Sequence, residues 1–314
     1  MMKKNKRRPP KIGIALGSGS ARGWSHIGVI QGLLQMGIEP QIVAGSSIGA
    51  LVGAAYAAGE IDRLEHWTRA LDWKGILKYL DPSLLGGGLI QGDKLTELVG
   101  QYVQDLTFEE LPHRLGVVAT ELDSGREVWF REGPVMRAVR ASIGLPGLFT
   151  PLQHEKSWLV DGGLSNPVPV SLCRAMGADV VIAVNLNGDL LGRHFRQSED
   201  EEPSKQPTGK GDFWDRLTGQ LKQSFGERKE MLFTRLLGGA RENPGLYEVL
   251  ASSINIMQDR ITRSRMAGDP PDIMITPRLS DMALMEFDRA SEAIEEGHAA
   301  VDRLRPALQS FLGL

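Results

Sequence analysis

The first clear pattern along the chain is residues 11–16, KIGIAL, an almost unbroken apolar run with the length of a buried strand. Over residues 24–36 the spacing changes, and Ile27, Ile30, Leu33 and Leu34 recur on one face at helical period. Residues 41–44 are strand-like again and run into 48–58, a Gly- and Ala-rich stretch read as a helix. Two strand–loop–helix units in succession predict an α/β fold with a parallel sheet covered by helices. Further strands are predicted at 115–120, 127–130, 157–160 and 180–186, and another in PPDIMITP. Helices are predicted at 247–266 and 286–311, and no internal repeat is visible.

Between these elements the pattern breaks twice. Residues 187–212 are charged and carry Pro, Gly and Ser; they have too little apolar surface to order themselves and are expected to form a mobile loop. In residues 213–237, Phe213, Trp214, Leu217, Leu221 and Phe225 recur at near-helical spacing, continued by Leu232 and Leu236, opposite a charged face. Such a helix either packs in the core or, beginning with two large aromatics after a charged loop, lies on a lipid surface.

Composition narrows the functional classes. The 314 residues are 41% hydrophobic and 24% charged, enough to bury a substantial core. A net charge of -3 gives no overall basic field for nucleic acid. The single cysteine, Cys173, excludes an internal disulfide framework and fits a reducing, cytoplasmic compartment. The N-terminal MMKKNKRRPPK is basic but is followed by no apolar segment, so it does not read as a secretory signal. It is instead either a solvated tail or a contact for anionic lipid at the inner membrane face. The small-apolar run 48–59 is too short to span a bilayer.

Three short stretches carry candidate chemistry. Gly45-Ser46-Ser47-Ile48-Gly49 matches GxSxG and falls between an apolar strand and a helix. In a nucleophile elbow the serine sits in a strained turn, and side chains two residues before and after it would collide with that turn. The spacing makes Ser47, not Ser46, the nucleophile candidate; a tight strand–helix packing joint would use the same residues. GSGSARG, from Gly17 to Gly23, follows the first strand and brings backbone N–H groups to one point, as an anion site requires. A dinucleotide loop is excluded because Arg22 stands where the third glycine belongs and the second strand ends without an acidic residue. A Walker loop is excluded by the missing Gly-Lys-Ser/Thr ending. A hole for a transient oxyanion needs neither addition.

The third stretch is WLVDGGLSNPVP, where a strand ends in Asp161 and the glycines Gly162 and Gly163 let another loop approach its carboxylate. A plain Asx turn is the alternative there. The six histidines offer no evident base for Ser47. His194 lies in the charged loop, His298 in a charged helix and His154 in a turn; His66 and His113 have no motif around them. His26 faces the core side of its helix and reads as a packed, hydrogen-bonded residue. No His, Cys or carboxylate grouping has ligand spacing, so neither a metal nor another cofactor is expected.

LGSGSARG, GSSIG and DGG, in that order, with ASIGLPGLF (141–149) and NPVP (166–169), resemble the patatin-like phospholipase family over residues 12–186. RMAGDPPDIMI resembles its bacterial RssA-type subgroup. The resemblance implies a three-layer α/β/α sandwich with a mainly parallel central sheet, and cleavage of acyl esters by a Ser–Asp dyad. It implies Ser47 as nucleophile, Asp161 as base and the amides of Gly17, Ser18, Gly19 and Ser20 as oxyanion hole. Arg22, Gly23, Gly45, Gly49, Gly162 and Gly163 complete the motifs. Many relatives have an all-glycine GGGxRG loop; here Ser18 and Ser20 interrupt it, which keeps the N–H donors but puts side chains at any position of the loop that needs positive φ.

The expected organisation is a basic tail (1–10), a catalytic core (11–186), a loop and amphipathic helix (187–240), and C-terminal helices and a strand (241–314) completing the same domain. The expected function is a lipid acyl hydrolase of phospholipase A or lysophospholipase type, acting on a lipid or acyl-ester substrate with peripheral membrane contact. Two rivals use the same residues: a soluble short-chain carboxylesterase, and a catalytically idle module that binds acyl lipids. The presence of Ser47, Asp161 and the glycines together argues against the idle module. Nothing in the sequence indicates an oligomeric state.

Overall fold

Each predicted apolar run forms a strand of one sheet in the computed structural model, which describes residues 8–71, 88–90, 103, 106–189 and 246–313. In chain order the elements begin with β1 (Ile12–Leu16), α1 (Ser25–Gln35), β2 (Ile42–Ser46), α2 (Ile48–Ala57), α3 (Ile61–Arg69) and β3 (Gly88–Ile90). Then come β4 (Arg114–Glu121), β5 (Glu127–Phe130), α4 (Val135–Ser142), β6 (Gly147–Phe149), β7 (Leu152–His154) and β8 (Ser157–Asp161). The last are α5 (Val170–Ala175), β9 (Val180–Val184), α6 (Leu246–Gly268), β10 (Ile273–Ile275) and α7 (Ala290–Leu312). The predicted segment 213–237 lies outside the described residues, as do 1–7 of the tail and 190–212 of the charged stretch.

The main sheet has eight strands in the order β10-β9-β1-β2-β4-β8-β7, with β5 also on β4. From β10 to β4 the pairing is parallel. Strands β5, β7 and β8 pair antiparallel at one end. The parallel strands read as continuous apolar runs because both their faces are covered. On one face Ile14, Leu16, Val43, Leu115, Val117, Ile182 and Val184 pack with residues of α1, α2, α3 and α7. On the other, Ala15, Ile42, Ala44, Val118, Val181 and Ala183 meet Val170, Leu172 and Cys173 of α5. Helices on both faces of a mainly parallel sheet make the three-layer sandwich.

The C-terminal helix α7 lies along α1. At their crossing Gly28 and Gly297 face the opposite backbone: a Cβ would sit 1.9 Å from Ile294 O and 2.1 Å from Ser25 O, respectively. Among the described residues, no helix is long and apolar enough to cross a membrane, and no group of three His, Cys, Asp or Glu could hold a metal ion.

The topology singles out one place on this sheet. From β1 the chain steps to β2 and β4, whereas β9 and β10 lie on the opposite side of β1. Ligands of open α/β sheets bind beyond the carboxyl ends of strands at such a reversal. Gly17–Gly23 and Ser47 lie there, immediately after β1 and β2.

Candidate active site

Ser47 joins β2 to α2 with φ 57° and ψ -124°, a left-handed conformation that costs a residue with a side chain about 1–3 kcal/mol. What enforces it is the packing of the turn against β1. A Cβ on Gly49 would lie 2.2 Å from Leu16 O, and one on Gly45 would lie 2.5 Å from Ala50 Cα. The Ser47 N–H donates to Ser142 Oγ at 2.8 Å, so the end of α4 braces the elbow from outside its own unit. Ser47 is 9% exposed, whereas Ser46 is wholly buried in β2.

Asp161 ends β8, whose antiparallel register on β4 sets it opposite Ala119. Its Oδ2 accepts from Ser47 Oγ at 2.5 Å and its Oδ1 from the Gly163 N–H at 2.7 Å. The residue is 1% exposed. Burial raises its pKa to about 6, against the opposing pull of the hydrogen bonds from Ser47 and Gly163. A carboxylate near 6 is ionised at neutral pH and still basic enough to take a proton.

The loop after β1 supplies fewer donors than its glycines suggest. The Gly17 N–H donates to Val184 O at 3.1 Å and the Ser18 N–H to Pro167 O at 2.8 Å. Both amides are therefore committed to the scaffold, which corrects the expectation of four oxyanion donors. The amides of Gly19 and Ser20 have no partner among the described residues. Gly19 and Ser20 line the same pocket as Ser47 and Asp161. Ser20 has φ 53°, so one of the two serines that interrupt the glycines does sit where glycine is favoured.

Two buried side chains hold that loop. His26 Nε2 lies 2.8 Å from Gly17 O, and because a carbonyl only accepts, that nitrogen carries the proton. Burial lowers the His26 pKa to about 4, which keeps the ring neutral and in a bracing role. Arg22 donates to Gly19 O at 3.3 Å, Leu186 O at 3.4 Å, and Asn187 Oδ1 and Asn255 Oδ1 at 3.2 Å each. Desolvation lowers its pKa to about 10, still charged at neutral pH. In a trans peptide C=O and N–H point oppositely, so Arg22 drawing on Gly19 O turns the Ser20 N–H away from the guanidinium.

The pocket's walls are mostly apolar, with Leu51, Ile143, Leu148, Phe149, Ile254 and Phe287 around Ser47 and Asp161. No histidine lines it among the described residues. Gly23, Gly162 and Gly163 lie in tight turns beside it, where a Cβ would come within 2.5 Å of a neighbouring atom. Sequence reasoning missed Ser142, Asn255 and Gln258. Ser142 lay inside a quoted motif, but nothing local to the two amides on α6 marks them.

The family profile described as patatin-like phospholipase matches residues 14–174, which include Ser47, Asp161 and the loop after β1. This chain belongs to the patatin-like phospholipase family. It is 33% identical over 348 residues to an uncharacterized NTE family protein of Mycobacterium tuberculosis, covering 96% of this chain and 92% of the relative. It is also similar to human patatin-like phospholipase domain-containing protein 6, at 34% over 182 residues, 56% of this chain but 13% of that protein. The lysophospholipase NTE1 of Yarrowia lipolytica is 34% identical over 180 residues, 56% of this chain and 12% of its own length. Within the patatin-like chain the matched span holds Ser47, Asp161 and the loop after β1, whereas α6, with Ile254, Asn255 and Gln258, lies beyond it.

Proposed function

We propose that this chain is a serine lipid acyl hydrolase, cleaving carboxylic esters of phospholipase A or lysophospholipase type through Ser47, Asp161 and an acyl-enzyme. One observation carries the reading: a strained serine at a strand–helix elbow donates a 2.5 Å hydrogen bond to a buried carboxylate inside an apolar pocket. As Ser47 Oγ attacks the ester carbonyl, its proton passes to Asp161 Oδ2 and the carbonyl oxygen takes the displaced electron pair. The free N–H groups of Gly19 and Ser20 receive that oxyanion, at about 3 to 4 kcal/mol of transition-state stabilisation per effective donor. Collapse of the intermediate expels the alcohol, which leaves with the proton from Asp161. Water then attacks the acyl-serine, Asp161 takes its proton, and Ser47 leaves reprotonated.

The apolar walls favour a long acyl chain over a short one. The name of the yeast relative, a lysophospholipase, supports a lipid ester as substrate, although the likeness covers a small part of that protein. The test is labelling with a fluorophosphonate probe alongside ester hydrolysis. Wild type and Ser46→Ala should label and turn over, and Ser47→Ala should do neither. An active Ser47→Ala enzyme with a dead Ser46→Ala would sink the assignment. Preference for acetyl over lauroyl esters would point to a short-chain esterase instead.

A further inference from the structure

The helix α6 lies outside the residues matched to the family, yet it contributes Ile254, Asn255 and Gln258 to the pocket wall. Its two carboxamides are oriented from behind by one cation. A guanidinium can only donate, so Asn187 and Asn255 must both turn their amide oxygens toward Arg22. With its oxygen committed, Asn187 offers Nδ2 to Gln258, which meets it with Oε1 at 3.2 Å. Ser18 Oγ donates to the same Oε1 at 3.0 Å. The buried arginine thus sets the direction of a hydrogen-bond chain, and the two amides on α6 have no freedom to flip.

What each amide has left is its NH2 group. Neither Asn255 Nδ2 nor Gln258 Nε2 donates to any described residue, although Gln258 is 4% exposed. Both residues line the pocket, so these donors are open to whatever occupies it. The position of Gln258 says which part of a substrate that would be. The point a Gly163 Cβ would occupy lies 2.5 Å from Gln258 Nε2, 2.8 Å from Ser18 Oγ and 2.9 Å from Asp161 Oδ1. The amide therefore stands on the Oδ1 side of the Asp161 carboxylate, the group that in the proposed mechanism returns a proton to the leaving alcohol. No Lys or Arg lines the pocket among the described residues, so neutral donors do the recognition there.

We propose that Asn255 and Gln258 form a subsite for the alcohol half of the substrate, donating to a hydroxyl or phosphate oxygen carried next to the ester, as on a glycerol ester. The inference rests on the hydrolase reading above. Its test uses variants that keep each engaged oxygen and remove the N–H donors: Asn255→Asp still accepts from Arg22, and Gln258→Glu still accepts from Ser18 and Asn187. Three lauroyl esters are compared: p-nitrophenyl laurate, monolauroylglycerol and lauroyl lysophosphatidylcholine. A new carboxylate near Asp161 changes the base for all three alike, so the informative quantity is the ratio of kcat/KM values. For each variant the ratio of a glycerol ester to the p-nitrophenyl ester should fall about tenfold, chiefly through KM, as loss of a hydrogen bond to the bound substrate requires.

A fall for both glycerol esters identifies a hydroxyl as the acceptor; a fall for the lysophospholipid alone that survives high salt identifies its phosphate, whereas one that salt abolishes is repulsion by the new carboxylate and overturns the subsite. Unchanged ratios, with wild type cleaving all three esters, would overturn the subsite and leave the hydrolase standing. Wild type that cleaves none of them would overturn both.

Discussion

Strands β1 and β2 lie side by side, and the loop after each holds a serine in the left-handed region: Ser20 at φ 53° and Ser47 at φ 57°. Their surroundings divide them. Ser47 has its hydroxyl on Asp161 and its amide on Ser142, so both halves of the residue are engaged. Ser20 has no side-chain hydrogen bond among the described residues, and its amide is free at the pocket. The same backbone strain thus serves a side chain at one site and a main-chain donor at the other. Glycine could replace the second but not the first.

The largest effect that tests this contrast is at Ser47. Ser47→Ala should lower turnover by at least ~10⁴-fold, since the nucleophile and its proton are lost together. It should leave the fold intact, checked by thermal unfolding. Wild-type-like turnover would show that the elbow serves packing only.

Asp161→Asn comes next, at about 10²-fold or more in kcat. Wild-type kcat should fall as pH drops through about 6, where Asp161 becomes protonated. Stability should move the other way. Because the folded pKa is raised from 3.8 to about 6, folding favours the protonated carboxyl. Stability is therefore lost as pH climbs from about 4 through 6, by on the order of 3 kcal/mol. Asp161→Asn should melt a few degrees above wild type at pH 8 and nearly with it at pH 4. A variant less stable than wild type at pH 8 would mean that the ionised carboxylate holds the fold together.

The strands and the elbow were legible in the sequence because their causes are local. Strands buried on both faces must be continuously apolar, and a strained serine needs glycines at fixed offsets. The donor set was not legible. Which amides of Gly17–Ser20 are free depends on Val184 O and Pro167 O, carbonyls remote in the chain that take two of the four. The α6 amides are further still, since Gln258 meets Ser18 across 240 positions. The short helices α3, α4 and α5, of nine, eight and six residues, also went unannounced.

Ser142 lies between these extremes, inside a recognisable motif but with a role visible only in three dimensions. Ser142→Ala leaves the buried Ser47 N–H without its acceptor, which costs about 1–3 kcal/mol. It should cut kcat about tenfold by loosening the elbow. Ser142→Thr, which keeps the oxygen, should recover most of that loss. If alanine and wild type share the same kcat, the elbow is held by its glycines alone.

The smallest effect is expected at Ser20, and it decides whether the comparison is correct. A side chain in the left-handed region costs about 1 kcal/mol, which Ser20→Gly removes. The gain is partly offset by the greater freedom of glycine in the unfolded chain. The net should be a melting temperature equal to wild type or higher by about 1–2 °C. The N–H survives the exchange, so kcat/KM should stay within about threefold. Ser20→Ala keeps the strain and removes only the hydroxyl, so it separates the two contributions. Were both variants to lose more than about tenfold in kcat while melting like wild type, the Ser20 hydroxyl would be part of the chemistry. The two serines would then differ in degree rather than in kind.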